Sequence, residues 1–295
     1  MIYDVVIFNN ELDLLETRFN YLNEVVDYFV VTEVDTTFSG SKKPFVFDLN
    51  SVRFERYKHK IIYNQVIFDD IKSRKDLPSS GYTDFTVSFP HKHRGTRPID
   101  LRESHISEIL QRDSSMDILS KSCNDDDIIL MSDVDEIPSI TAVNRTIEMC
   151  LGSSGRAVYF EQDWRVYWLN YQVQQPWYGS VACSYSFLKT RSIDNLRVGL
   201  SDTDAVPGEI INLAGWHLSY LGGHDLIKRK LNDLAYQGLR AELTRVLSNY
   251  LPLYLRFRLA LGQDILNQGR KFKRTELSSH LIDHVPAVFL EENTL

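Results

Sequence analysis

"IILMSDVDEIP", residues 128–138, drives four apolar residues straight into Asp133, Asp135 and Glu136 and stops at Pro138. A short apolar run closed by turn residues reads as a strand buried on both faces, as in a parallel sheet. Carboxylates gathered at the end of such a strand repel one another, and each is costly to bury alone, so the cluster calls for a counter-charge. In an extended segment side chains alternate with a period of two, which puts Asp133 and Asp135 on one side, where a single cation can meet both.

The flanking sequence supplies the rest of such a sheet. "IYDVVIF" (2–8) is a buried strand, "NELDLLETRFNYLNEV" (10–25) spaces Leu12, Leu15, Phe19 and Leu22 as a helix, and "DYFVVTE" (27–33) returns to strand composition. After a loop holding Ser39 and Gly40, "PFVF" (44–47) reads as a strand, 49–58 as a charged helical segment and "KIIYNQVIF" (60–68) as a strand. Residues 70–98 carry scattered Pro and Gly without a period and read as a long loop, of the kind that often serves as a lid or binding segment. A helix over 101–119, with Ile106, Ile109 and Leu110 on one side, then delivers the chain to the acidic strand end. Strands alternating with helices predict an α/β fold with a mostly parallel central sheet flanked by helices. Ligands of such sheets bind at the carboxyl ends of the strands, where the acidic cluster lies.

The second half changes character. "AVYFEQDWRVYWLNYQV" (157–173), "VACSYSFLK" (181–189) and a strand ending in "AGWH" (214–217) predict a mixed C-terminal part of the same sheet, wrapped by helices from about residue 224. The expectation is one domain over 1–295, divided at residue 136.

Composition narrows the partners. With 295 residues, 43% hydrophobic and 25% charged, the chain is an ordinary globular protein with a sizeable core. Its net charge of −7 argues against nucleic acid as the main partner. Cys123, Cys150 and Cys183 lack a CxxC spacing and leave one thiol over in any pairing, so they read as reduced structural residues. No run approaches the roughly 18–20 apolar residues of a membrane span, and "MIYDVVIF" reads as a first strand and not a signal peptide, giving the expectation of a soluble, cytoplasmic chain without a membrane segment.

Hard ions such as Mn²⁺ or Mg²⁺ suit Asp133 and Asp135, and such ions sit between protein carboxylates and a substrate diphosphate, of which a nucleotide-sugar is one. His217, at the end of "AGWH", is a further candidate ligand. Asp225, after Gly222-Gly223, is placed to act as a general base if that loop closes over a sugar, with Glu161 and Asp163 as the other candidates; its ordinary role would be a helix cap. Trp177 and Tyr178, in the turn set by Pro176 and Gly179, together with Trp216, offer aromatic faces to an acceptor sugar. Two other classes suit parts of this pattern: a metal-dependent phosphohydrolase using the first aspartate as nucleophile, and a glycan-binding protein without turnover. The phosphohydrolase reading is weakened by the 130 or so residues that precede the motif and by Ile137, where such enzymes carry Thr or Val.

Six blocks in order, "IYDVVIFNNELDLLETRFNYL", "VVDYFVVTEVDTTFSGSKKP", "DDDIILMSDVDEIP", "FEQDWRVYWLN", "PWYGS" and "AGWHLSYLGG", resemble glycosyltransferase family 17 over most of the chain. The resemblance implies a GT-A type fold, a UDP-sugar donor such as UDP-GlcNAc, a glycan acceptor, and inverting transfer assisted by Mn²⁺ or Mg²⁺ at Asp133 and Asp135. It also marks Asn10, Glu11, Asp13, Glu33, Ser39, Gly40, Arg102, Glu103 and Asp133 as donor-side residues. Residues 1–136 would then hold the nucleotide-sugar and 137–295 the acceptor.

Overall fold

The structure is a computed structural model that describes residues 1–37, 41–72, 103–152, 156–198, 208–221, 227, 251–263 and 270–275. In chain order, β1 (Ile2–Phe8), α1 (Leu12–Leu22), β2 (Tyr28–Val34), α2 (Val46–Leu49), a 3₁₀ segment (Ser51–Tyr57), β3 (Ile61–Val66) and α3 (Phe68–Lys72) open the fold. Next come α4 (Glu103–Ser114), α5 (Met116–Ser122), β4 (Ile128–Asp133), β5 (Glu136–Pro138), α6 (Ile140–Gly152), β6 (Ala157–Phe160), β7 (Asp163–Val166) and β8 (Trp168–Val173). The remaining elements are β9 (Val181–Ser184), α7 (Tyr185–Leu188), α8 (Ile193–Val198), β10 (Gly208–Ile211), β11 (Gly215–Ser219), α9 (Leu251–Ala260) and β12 (Phe272–Arg274).

Among the described residues a seven-stranded sheet runs β10-β6-β9-β4-β1-β2-β3. Only β9 is antiparallel to its neighbours β4 and β6; the pairs β1/β2, β1/β4, β2/β3 and β6/β10 are parallel. Each central strand splits its side chains between two cores by the two-residue period. Val6, Phe8, Phe29, Val31, Ile128 and Leu130 pack with Leu15, Phe19 and Leu22 of α1 and with α6, while Val5, Val30, Ile129, Met131 and Val181 face Leu119, Leu188, Ile193 and Leu196. The expected α/β class with a mostly parallel central sheet is what the chain forms.

The second half departs from a single mixed sheet. A separate five-stranded sheet runs β12-β8-β7-β11-β5, with its own core of Trp164, Val166, Tyr167, Trp168, Val173, Tyr220 and Phe272. Most of the aromatics between 164 and 171 therefore fill a core. Gly215, at φ +134°, allows β11 to lie against β5, since a Cβ there would overlap the Ile137 carbonyl.

Five local readings are corrected. "PFVF" is not a strand: Val46 and Phe47 begin α2, because the buried Glu33 carboxylate accepts both their N–H groups at 2.7 and 3.0 Å. The 101–119 helix breaks at Ser115, whose hydroxyl meets that of Thr32 at 2.8 Å. "VACSYSFLK" turns from strand to helix at Tyr185, and the strand containing "GWH" continues to Ser219. Only the first residues of the long 70–98 loop are described, and they belong to α3.

Candidate active site

The chain enters the large sheet at β1, moves outward through β2 and β3, and returns on the other side of β1 as β4. The carboxyl ends of β1 and β4 therefore flank the point where strand order reverses, the usual ligand site of an open parallel sheet. Asn9, Asn10 and Glu11 follow β1 there, Asp133 ends β4, and Val134 and Asp135 lead into Glu136 at the start of β5.

Residues 134–135 form a turn, so the two-residue period does not extend across them. The period that would put Asp133 and Asp135 on one side therefore does not apply. Asp133 is held by two arginines: Arg112 Nη2 donates to its Oδ1 and Oδ2 at 3.0 and 3.2 Å, and Arg197 Nη1 to Oδ1 at 2.6 Å. Burial opposes the Asp133 charge, but the two guanidiniums outweigh it and hold the carboxyl well below the usual carboxylate range. Arg112 also pairs with Glu108 and, at 2.7 Å, with Asp194. Burial works against the cations Arg112 and Arg197 as well, and the surrounding carboxylates more than offset it.

Beneath this pair lies Arg18 of α1, with no exposed surface. It donates to both Asp4 oxygens at 2.6 Å, to Ser132 Oγ at 2.7 Å and to the Glu136 carbonyl at 2.6 Å. Asp4, buried in the middle of β1, is tolerated for this reason, and the turn after β4 is pinned to α1. Arg18, Arg112 and Arg197 are the residues that the sequence reading missed, and Glu136 was named there only as a member of the acidic cluster; the cluster's demand for positive charge was the available signal.

Near Asp135, His217 Nε2 lies 3.7 Å from Oδ1. The register of β11 with β5 and β7 puts His217 opposite Glu136 and Trp164. Its ring is stacked 5.5 Å from Trp164 and lies 4.3 Å from Trp177, and Arg270 covers the Trp164 ring at 4.5 Å. Among the described residues no group of three or more His, Cys, Asp and Glu side chains is placed to hold a metal ion. Asp135 and His217 are nevertheless of the chemical types that hold such an ion. Their separation is too long for a hydrogen bond and wider than the roughly 3.0 Å between adjacent ligands about 2.1 Å from one octahedral ion, so the two side chains would have to draw together to share it. Asp133, the other candidate ligand, is engaged by Arg112 and Arg197 and keeps part of its side chain exposed.

The other sequence candidates are dispersed. Glu161 accepts the Tyr178 hydroxyl at 2.7 Å, and burial beside that carboxylate pushes the phenol up to about 12. Asp163 is tied to Arg165 at 2.6 and 2.8 Å and to Gln172 at 2.6 Å. Trp216 packs edge-on to Tyr21, on the opposite face of β11 from His217. Glu11 accepts the N–H groups of Asn9 and Asn10, Asp13 pairs with Arg53, and Glu33 is occupied by Lys43, Tyr63 and the start of α2. Ser39, Gly40, Arg102 and Asp225 lie outside the described residues, as does the side chain of Glu103.

A carboxylate turn at the switch point of an α/β sheet, beside a histidine and aromatics, makes a candidate ligand site where the two sheets of this α/β protein meet. The chain belongs to glycosyltransferase family 17, whose model matches residues 1–80 and 82–224. It is 29% identical over 133 residues to the Homo sapiens beta-1,4-mannosyl-glycoprotein 4-beta-N-acetylglucosaminyltransferase, covering 44% of this chain and 20% of that protein. The Rattus norvegicus protein of the same name is 28% identical over 140 residues, 47% of this chain and 22% of the relative. The chain thus spans about a fifth of the length of these curated relatives. A solved structure, the 4-diphosphocytidyl-2C-methyl-D-erythritol synthase of Anaerococcus prevotii, aligns with a TM-score of 0.37 at 9% identity, covering 72% of this chain and 86% of that one. No helix among the described residues is long and apolar enough to cross a membrane.

Proposed function

We propose that the chain transfers a sugar, GlcNAc by analogy with the curated relatives, from a UDP-sugar to a glycan hydroxyl, with inversion and with the help of Mn²⁺ or Mg²⁺. The observation that carries this reading is the placement of Asp135 3.7 Å from His217 at the carboxyl end of β4. These two residues would hold the ion. When bound, it supplies positive charge to the departing diphosphate.

The protein's own groups do the rest. Arg112 and Arg197 keep Asp133 ionised and fixed, so the turn stays set while the diphosphate charge changes. Inverting transfer is a direct displacement at the anomeric carbon, which needs one base on the acceptor hydroxyl and no protein nucleophile. Asp225 is our choice for that role, with Glu161, bonded to Tyr178, and Asp163, bonded to Arg165 and Gln172, as the other candidates. Loss of the base lowers transfer by about 10²- to 10⁴-fold with donor affinity little changed, so Asp225→Asn and Glu161→Gln tell those two apart.

The test is a donor screen with UDP-, GDP- and dTDP-sugars, with and without Mn²⁺ and a glycan acceptor, following nucleotide release. Metal-dependent UDP release that rises with acceptor is expected. Undiminished turnover in EDTA overturns the metal assignment, release of inorganic phosphate favours the phosphohydrolase, and glycan binding indifferent to UDP without turnover favours a non-catalytic glycan-binding protein.

A further inference from the structure

Glu136 has no exposed surface, yet the two sides of the site meet at it. Its Oε1 accepts the indole N–H of Trp177 at 2.7 Å. Its Oε2 accepts Arg197 Nη2 at 2.6 Å and the backbone N–H of Asp133 at 2.9 Å. These three donors come from separate stretches of chain. Gly179 lets the arrangement close: a Cβ there would overlap both Glu136 Oε1 and Trp177 Nε1. Arg197 binds the same corner from behind, donating its Nε–H to the Gly179 carbonyl at 2.9 Å. The Trp177 ring in turn lies 4.3 Å from His217, which faces Asp135.

We propose that Trp177 and Glu136 are positioning residues for the transfer reaction. The indole N–H aims the Glu136 carboxylate, the carboxylate fixes the Asp133 amide and so the Asp133–Asp135 turn, and the indole ring fixes His217. Trp177 then acts through Asp135 and His217, and is not a stacking platform for the acceptor sugar. This inference rests on the transferase reading above.

Trp177→Phe separates the two roles, because phenylalanine keeps an aromatic face and removes the N–H. Partners that orient metal ligands typically contribute 10- to 100-fold to metal affinity or activity, so the variant should lose about that factor in Mn²⁺ affinity in the presence of UDP, read by calorimetry, and in kcat. Its acceptor KM should stay within about two-fold of wild type, since the loss falls on positioning and not on acceptor binding. Gly179→Ala, which pushes the pair apart from outside, should give the same split. A raised acceptor KM with unchanged kcat and Mn²⁺ affinity overturns the proposal, and so does wild-type behaviour of both variants. A readout independent of turnover keeps this separate from the transferase reading. In ¹H–¹⁵N spectra of the apoprotein, Trp177→Phe should shift the backbone amides of Asp133 and Asp135. If these amides do not move, the positioning role fails even in an active transferase; if they move in a protein that binds no UDP-sugar, only the transferase reading fails.

Discussion

Arg18→Met removes a cation that, like its partner Asp4, has no exposed side-chain surface. Methionine nearly matches the aliphatic part of arginine, so little cavity opens and the effect is electrostatic. Stranding one member of a buried ion pair costs about 3–5 kcal/mol. The Glu136 carbonyl and Ser132 hydroxyl lose donors at 2.6 and 2.7 Å as well. Each buried polar group left unsatisfied adds about 1–3 kcal/mol, although these terms do not sum simply. The expected loss is therefore about 4 kcal/mol or more, a large share of the ~5–15 kcal/mol that holds a typical protein together. Urea unfolding at neutral pH, followed by tryptophan fluorescence and circular dichroism, measures it. Adding Asp4→Leu removes the stranded carboxylate, and the double variant should recover about 1–3 kcal/mol over Arg18→Met while staying below wild type, because the Glu136 carbonyl remains without its donor. A loss under about 1 kcal/mol in the single variant, or a double variant no better than the single one, would refute the reasoning.

The two aspartates of the turn should behave differently. Asp133→Asn leaves Arg112 and Arg197 without their shared anion and should lower the urea midpoint, whereas Asp135→Asn should leave the midpoint near wild type and abolish the Mn²⁺ effect on UDP release; equal midpoints would contradict the division of roles. Gly215→Ala forces a β-carbon into the φ +134° backbone against β5 and should cost about 1–3 kcal/mol from strain alone, checked by the same denaturation curve. Asp35 gives an acid signature: burial raises its pKa, but the Lys42 ammonium and the Phe68 N–H outweigh burial and leave it below the usual value. The folded state then binds this proton less tightly than the unfolded chain, so the stabilisation is present above an unfolded pKa of about 3.9 and is lost as pH falls through the folded value. The stability gap between wild type and Asp35→Asn should shrink below about pH 4, and a gap independent of pH would remove this assignment.

The central sheet was legible because its strands are buried on both faces and so read as mostly apolar runs at 128–131, at 2–8 apart from Asp4 and, less purely, at 27–33. What escaped the sequence depends on contacts from elsewhere. The stretch 44–47 has strand composition and becomes a helix because Glu33, on a neighbouring strand, caps it. The stretch 157–173 divides into three strands partly because Tyr167 adopts a left-handed φ of 66°. No glycine or asparagine marks that turn, so nothing in the local sequence announces it.

The candidate site divides along the same line. Its place at the end of the acidic strand follows from hydrophobic pattern alone, and so does its need for positive charge, because clustered carboxylates create that need wherever the fold puts them. The nature of the charge does not follow. Two aspartates two apart suggest one cation only if the backbone stays extended, and the turn at 134–135 breaks that condition. Arg112 and Arg197 then neutralise Asp133 from two helices that lie far away in sequence, and a helical arginine carries no mark of where its guanidinium will arrive. These guanidiniums meet Asp133, while Asp135 lies beside the histidine that the second sheet brings to it. The acidic motif thus puts an arginine-bound carboxylate and a histidine-facing one in a single turn, and Glu136 beside them takes hydrogen bonds from Arg197 and Trp177.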